Sequence, residues 1–170
     1  MKYYLFLLPV IIIAACSSPR YYVVRHAEKS ILTKDSADMM ASNPPLSEAG
    51  KVRAFVLRDE LKSKHIEHIY STNTLRAVST AEPLGKQSHV QIQYYSNVDS
   101  LIGILHATKG NVLIVGHSNT VDDIVNKLTG KKEIRGDLGD AEYDNLFIIK
   151  GKPGNGHLIR KKYGYPSNPE

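Results

Sequence analysis

The sequence has one cysteine, Cys16, in 170 residues. No intramolecular disulfide can form, and stability must come from a packed core. An apolar run long enough to cross a bilayer as a helix is also lacking. The apolar stretch Tyr3 to Ala15, interrupted only by Pro9, has 13 residues, where a span needs roughly 20. The basic residues are scattered apart from the pairs Lys131-Lys132 and Lys161-Lys162, both read as solvated surface lysines. Without a basic stripe interleaved with aromatics, no nucleic-acid partner is expected. Internal repeats and low-complexity segments are missing too, which leaves a single domain.

What is present begins at the N-terminus. Lys2 gives a positive start, the apolar stretch follows, and Ile13-Ala14-Ala15-Cys16 places small residues before the cysteine. These are the proportions of a secretory signal, and a cysteine at its end resembles a bacterial lipobox. Residues 1–15 are therefore expected to be a lipoprotein signal peptide, Cys16 the lipid-attachment site, residues 16–20 a lipidated tether and residues 21–170 the folded domain. The alternative is an uncleaved N-terminal anchor with Cys16 incidental. Two or more acyl chains would hold the protein on a membrane, outside the cytoplasm in a bacterial cell envelope. Loss of Lys2 with the signal lowers the formal charge from +5 to +4. That modest positive balance suits an anionic small substrate or an anionic membrane.

At 42% hydrophobic and 23% charged residues, the composition is that of an ordinary globular protein. Tyr21 to Val24 reads as a short buried strand, and Asn43-Pro44-Pro45 favours an extended loop through residue 46. Ser47 caps a helix that keeps Val52, Phe55, Val56 and Leu61 on an apolar face through Lys64. A strand over His65 to Tyr70 follows, then a helix from Leu75 to Gln87 with Pro83 as a kink or break. Val90 to Tyr95 alternates as a strand should, and Val98 to Ala107 has helical spacing. Asn111 to Val115 has the look of a buried parallel strand. A helix from Thr120 to Leu128 is stopped by Gly130, and Leu146–Lys150 with Leu158–Tyr163 reads as a closing hairpin. Alternating strands and helices predict an α/β fold: a three-layer α/β/α sandwich with a mainly parallel sheet.

In such a sheet, ligands bind beyond the carboxyl ends of the strands. The first strand runs into Arg25-His26-Ala27-Glu28, the second into Ser71-Thr72-Asn73 with Arg76 a turn later, and the buried strand into Gly116-His117-Ser118-Asn119-Thr120. Two arginines and two histidines should converge on one edge. Arginine makes bidentate, charge-assisted hydrogen bonds to phosphate oxygens. A histidine beside two arginines is held neutral, hence nucleophilic, near pH 7. The set suits capture of a phosphoryl group by an imidazole nitrogen.

Val24-Arg25-His26-Ala27-Glu28-Lys29 resembles the signature of the histidine phosphatase superfamily, whose fold is the phosphoglycerate-mutase-like one. The resemblance continues through Pro45-Leu46-Ser47-Glu48-Ala49-Gly50, Tyr70-Ser71-Thr72, Arg76 to Ala81 and Val115-Gly116-His117-Ser118, in the family's order. It implies a metal-independent phosphohydrolase without cofactor, acting on a phosphorylated small molecule or phosphoprotein. His26 would become phosphohistidine. Arg25 and Arg76 would hold the phosphoryl oxygens, and His117 would donate a further hydrogen bond to them.

The leaving group also needs a proton. Relatives often supply it from a carboxylate after the second helix, and Asp99 is the candidate, with an N-cap or first-turn role as the alternative. A chain without a dedicated acid would suit a good leaving group such as phosphohistidine. Glu28 either orients the loop around His26 or pairs with Lys29 or Lys51. Asp35, Asp38, Met39 and Met40 lie in the loop expected over the pocket, Asn119 is placed to reach phosphate, and an Asn in Tyr143-Asp144-Asn145 could steady the His117 loop. The rival to an enzyme is a non-catalytic lipoprotein that binds phosphorylated or anionic ligands in the same pocket.

Overall fold

The computed structural model describes residues 18–31 and 42–167. Six strands form one sheet: β1 (Arg20–Arg25), β2 (Ile66–Ser71), β3 (Ile92–Tyr94), β4 (Asn111–Gly116), β5 (Asn145–Lys150) and β6 (His157–Lys162). Their spatial order is β3-β2-β4-β1-β5-β6. The first four are parallel, while β5 runs antiparallel to β1 and β6 antiparallel to β5. Among the described residues four helices connect them: α1 (Glu48–Leu61), α2 (Leu75–Ser88), α3 (Val98–Ala107) and α4 (Ser118–Thr129).

Both faces of the sheet are covered, so the central strands are apolar without interruption. In β1, Tyr21 and Val23 join Leu101, Leu105, Val121, Ile124 and Leu128 in the core under α3 and α4. Tyr22 and Val24 point to the other face, with Leu57, Leu61, Ala77, Ala81 and Leu84 of α1 and α2. This period-two division makes the three layers expected of the sequence.

The elements depart from expectation in four places. α1 does not bury Val52 and Phe55, which are about half exposed at 48% and 51%. Its buried face is Gly50, Arg53, Ala54, Leu57 and Leu61, because the Arg53 guanidinium goes inward to a carboxylate. α2 runs unbroken through Pro83; the missing N–H there leaves only the Ser79 carbonyl without its intrahelical donor. β3 is shorter than Val90–Tyr95, since Tyr95 turns into the core and donates its hydroxyl to the Val115 carbonyl at 3.2 Å. α4 starts at Ser118, with His117 at its N-cap and the His117 N–H donating to Thr120 Oγ1 at 2.9 Å.

That carboxylate belongs to Glu28, whose charge partner is Arg53 and not Lys29 or Lys51. Arg53 grips it in a fork, Nε to Oε1 at 2.9 Å and Oε2 at 3.0 Å, and Nη2 to Oε1 at 2.7 Å. The remaining donors reach the carbonyls of Tyr163 and Tyr165 at 2.9 and 3.0 Å. One side chain thus ties the loop after His26, α1 and the C-terminal segment together. Gly50 packs so close that a Cβ would overlap the Glu28 carbonyl oxygen. Arg53→Met should cost about 3 kcal/mol in urea unfolding, because it strands a largely buried carboxylate. The double variant Arg53→Met/Glu28→Gln should lose clearly less than the single one; equal losses would mean packing, not charge, sets the effect.

Candidate active site

β1 and β4 pair in parallel with Arg25 opposite Gly116, and the His26 N–H extends the ladder to the Gly116 carbonyl at 2.9 Å. The next side chains on the two strands are His26 and His117. Their ring centroids lie 5.2 Å apart at 66°. Arg76, in the first turn of α2, is brought in by a relay through Thr80: the Ala27 N–H donates to Thr80 Oγ1 at 2.9 Å, and that hydroxyl donates to the Arg76 carbonyl at 2.7 Å. The four residues separated by more than ninety positions thus meet at the carboxyl edge of the sheet, as expected. They line a cleft of about 360 Å³ together with Lys29, Ser118, Asn119 and Asp140.

The hydrogen bonds fix which His26 nitrogen is reactive. Arg76 Nε can only donate, and it points at His26 Nε2 at 3.2 Å, so Nε2 carries a lone pair. His26 Nδ1 is 2.7 Å from the Ala27 carbonyl, which can only accept, so Nδ1 carries the proton. Burial, offset in part by the Ala27 carbonyl and reinforced by His117, Arg25 and Arg76, pushes His26 down to about 3. His117 is held at about 4 by burial, then Arg76 and Arg25. Its Nδ1 faces Arg76 Nη2 at 3.5 Å and its Nε2 meets Thr72 Oγ1 at 2.8 Å. The ring is thus neutral with its proton on Nε2, donated to the threonine.

Arg25 is fixed from behind. Its Nη1 donates to the carbonyls of Gly139 and Asp140 at 2.7 and 3.0 Å, and the Tyr143 ring lies 4.3 Å from its guanidinium carbon. The same ring is 6.0 Å from His26. Two donors are left over: among the described residues, Arg25 Nε and Arg76 Nη1 are buried without a hydrogen-bond partner. Buried polar groups are almost always paired. Two unpaired guanidinium donors beside neutral imidazoles describe a cavity shaped for an oxyanion. The N-terminus of α4, with Ser118 and Asn119 at the cleft, adds positive potential.

Asp99 is not brought to this cleft. It sits in the first turn of α3, its side chain 84% exposed, and pairs with Lys127 Nζ at 2.9 Å in the last turn of α4, whereas His117 caps the other end of that helix. The helix-terminus role, the alternative reading of Asp99, is the one its surroundings match. Cys16, Asp35, Asp38, Met39 and Met40 lie outside the described residues. Asn145 opens β5, and it is Tyr143 rather than an Asn that borders the site. The loop through Gly139, Asp140 and Tyr143 carries no motif; its sequence signal was limited to lying before the last buried strand.

The sequence model of the histidine phosphatase superfamily (branch 1) matches residues 21–100, which include His26 and Arg76. Over those 80 of the 170 residues the chain is similar to that superfamily. Solved structures share the fold over nearly their whole length. The protein histidine phosphatase SixA complexed with tungstate aligns with a TM-score of 0.65 at 17% identity, covering 84% of this chain and 96% of its own. The ecdysone phosphate phosphatase from Bombix mori, also with tungstate, has a TM-score of 0.63 at 13% identity, covering 88% and 95%. A mycobacterial glucosyl-3-phosphoglycerate phosphatase has a TM-score of 0.60 at 13% identity, covering 85% and 99%. No curated protein matches the sequence.

The histidine ionisation has a measurable sign. In the unfolded chain both imidazoles take up a proton near 6.5, whereas in the folded protein they resist it down to about 4 and about 3. Between those limits the unfolded state binds more protons, so stability falls as pH drops from 6.5. In ¹⁵N-detected NMR, His26 should show a protonated Nδ1 and a bare Nε2 from pH 5 to 8, and adding orthophosphate should raise both pKa values. A His26 signal that titrates near 6.5 in the free protein would contradict the geometry.

Proposed function

We propose that this chain is a phosphatase that hydrolyses phosphomonoesters or phosphohistidine through a covalent phosphohistidine on His26, without a metal ion. The observation that supports it most is the pair of unpartnered donors, Arg25 Nε and Arg76 Nη1, beside the bare Nε2 of His26. A phosphoryl group entering the cleft satisfies both donors, and Arg76 Nε turns from His26 Nε2 to a phosphoryl oxygen as the nucleophile is released. The Nε2 lone pair then forms a bond to phosphorus while the bond to the leaving group breaks. Positive charge that develops on the ring is stabilised at Nδ1–H by the Ala27 carbonyl. The His117 Nε2 proton, now held by Thr72, is available to an equatorial oxygen. Water afterwards attacks phosphorus, the N–P bond breaks, and orthophosphate leaves with Nε2 again bare. The guanidiniums supply the charge neutralisation that a divalent cation supplies elsewhere.

Asp99 lies away from the cleft, which bears on substrate choice. Asp140 lines the cleft, but among the described residues no carboxylate makes a hydrogen bond to the His26, His117, Arg76 or Arg25 side chains. A site that gives the leaving group little acid help favours leaving groups that need little, such as the imidazole of phosphohistidine or a phenol. The same observation is the one that favours the rival, a non-catalytic module binding phosphorylated ligands. The full chain incubated with p-nitrophenyl phosphate and a chelator separates the two. Turnover is expected, with a His26→Ala variant inactive and Arg76→Ala slowed by about 10²–10³-fold. Turnover surviving in His26→Ala would remove the nucleophile assignment, and a parent inactive on every phosphoester tested would favour the binding module. Alkyl phosphates should be cleaved far more slowly than aryl ones; equal rates would mean that a proton donor operates.

The localisation belongs to the same proposal: a cell-envelope lipoprotein anchored through Cys16 outside the cytoplasm. Cys16→Ser should accumulate as an unprocessed precursor, and normal maturation of that variant would refute the lipobox.

A further inference from the structure

The end of the sheet opposite His26 has its own composition. There the described chain enters at Ser18 and Pro19, the Pro19 carbonyl accepts from the Gly151 N–H at 3.2 Å, and β1 begins. A cavity of about 610 Å³ opens beside this entry, with Pro19, Tyr21, Leu105 and Ala107 as apolar wall and Lys109 and Lys152 among its lining residues. Strand register brings further cations to the same edge. Arg20 pairs with Lys150 across β1 and β5, and the Lys64 carbonyl accepts from Asn111 at the start of β4 at 2.7 Å.

Arg20, Lys64, Lys109, Lys150 and Lys152 are all exposed. None forms an ion pair among the described residues. Elsewhere the exposed lysines are largely neutralised: Lys51, Lys62, Lys86, Lys127, Lys161 and Lys162 each hold a carboxylate. Glu67 contributes a carboxylate to this end, against Gly110. Two of these cations, Lys109 and Lys152, line the apolar hollow, and Arg20, Lys64 and Lys150 stand along the same sheet edge.

We propose that this end of the domain is a docking face for an anionic phospholipid surface, with lipid phosphates at the lysines and the apolar hollow against the bilayer interface. Cys16 lies two residues before Ser18 in the sequence, so the proposal rests on the lipid-anchor reading for the membrane's proximity. A tether of residues 16–19 spans at most about 14 Å, which keeps this end within reach of headgroups. Basic groups near a membrane are attracted by anionic headgroups within about a Debye length. The consequence is orientation. β1 is six residues long, about 20 Å at strand rise, and His26 sits at its far end. The catalytic cleft then faces away from the membrane, towards water-soluble phosphorylated molecules or phosphoproteins, and does not reach phospholipid headgroups of the membrane that holds it.

The test uses the full-length chain, purified from bacterial membranes and checked by intact mass for lipid on Cys16. It is reconstituted in vesicles of phosphatidylethanolamine with phosphatidylglycerol, or of phosphatidylcholine alone, and its lysines are labelled with a water-soluble amine reagent. Labelling of Lys109 and Lys152 should slow by about five-fold or more in the anionic vesicles, with Lys51, beside the site end of α1, unchanged. The variant Lys109→Glu/Lys152→Glu should remain lipidated and active on p-nitrophenyl phosphate, while Lys64 and Lys150 lose their protection. Lipidated protein whose lysines label equally in both vesicles overturns the docking face and leaves the anchor standing. Unlipidated protein still protected by anionic vesicles, reversibly at high salt, upholds the face and removes the anchor. Unlipidated and unprotected protein removes both.

Discussion

The parallel pairing of β1 with β4 is the constraint on which the site depends. Once Arg25 stands opposite Gly116, the following residues on both strands leave the sheet together, and His26 and His117 are neighbours by construction. Any slip of register by one residue would invert the faces of β1 and turn Tyr22 and Val24 away from their core. The apolar alternation that makes the three-layer core therefore also sets the spacing of the two imidazoles. Packing and chemistry share one register, and the strand cannot satisfy one while missing the other.

That arrangement concentrates positive charge where little opposes it. Arg25 and Arg76 sit close enough to lower each other's neighbours, and burial does the rest, keeping both histidines neutral. Leaving a buried donor unsatisfied costs roughly 1–3 kcal/mol, and two such donors remain in the free protein. Supports around the cleft hold this arrangement. The Gly139 and Asp140 carbonyls and the Tyr143 ring fix Arg25, Thr80 fixes the start of α2, and the Glu28–Arg53 pair fixes the loop after His26. Donors held in place before the ligand arrives need no reorganisation when charge develops on the phosphoryl oxygens.

The sequence displayed the residues at strand ends and hid those that act from the side. His26, Arg25, Arg76 and His117 follow apolar runs or open a helix, so their convergence could be argued from strand polarity alone. Arg53 was hidden because helical periodicity counts arginine as an outward residue, although its guanidinium is buried against Glu28. Val52 and Phe55 drew attention to the wrong face of α1 for the same reason. Asp99 was misleading in another way. Its place in a first turn is a local fact, but which neighbour that turn meets depends on how α3 lies across α4, and there it meets Lys127. Tyr143 belongs to an irregular loop, where no period relates sequence position to direction.

Sheet polarity also decides where the chain's beginning lies relative to its chemistry. The first strand is parallel to every other strand that feeds the cleft, so its amino end must be at the edge opposite His26. A tether that precedes β1 can only leave from that edge, and insertion of β1 at the centre of the sheet places the exit beneath the middle of the domain. In a chain of this topology an N-terminal anchor and a carboxyl-edge site are separated by a strand's length without any added spacer. The antiparallel return of β5 brings Lys150 and Lys152 back to the exit, so the same hairpin that closes the sheet supplies part of its cationic rim.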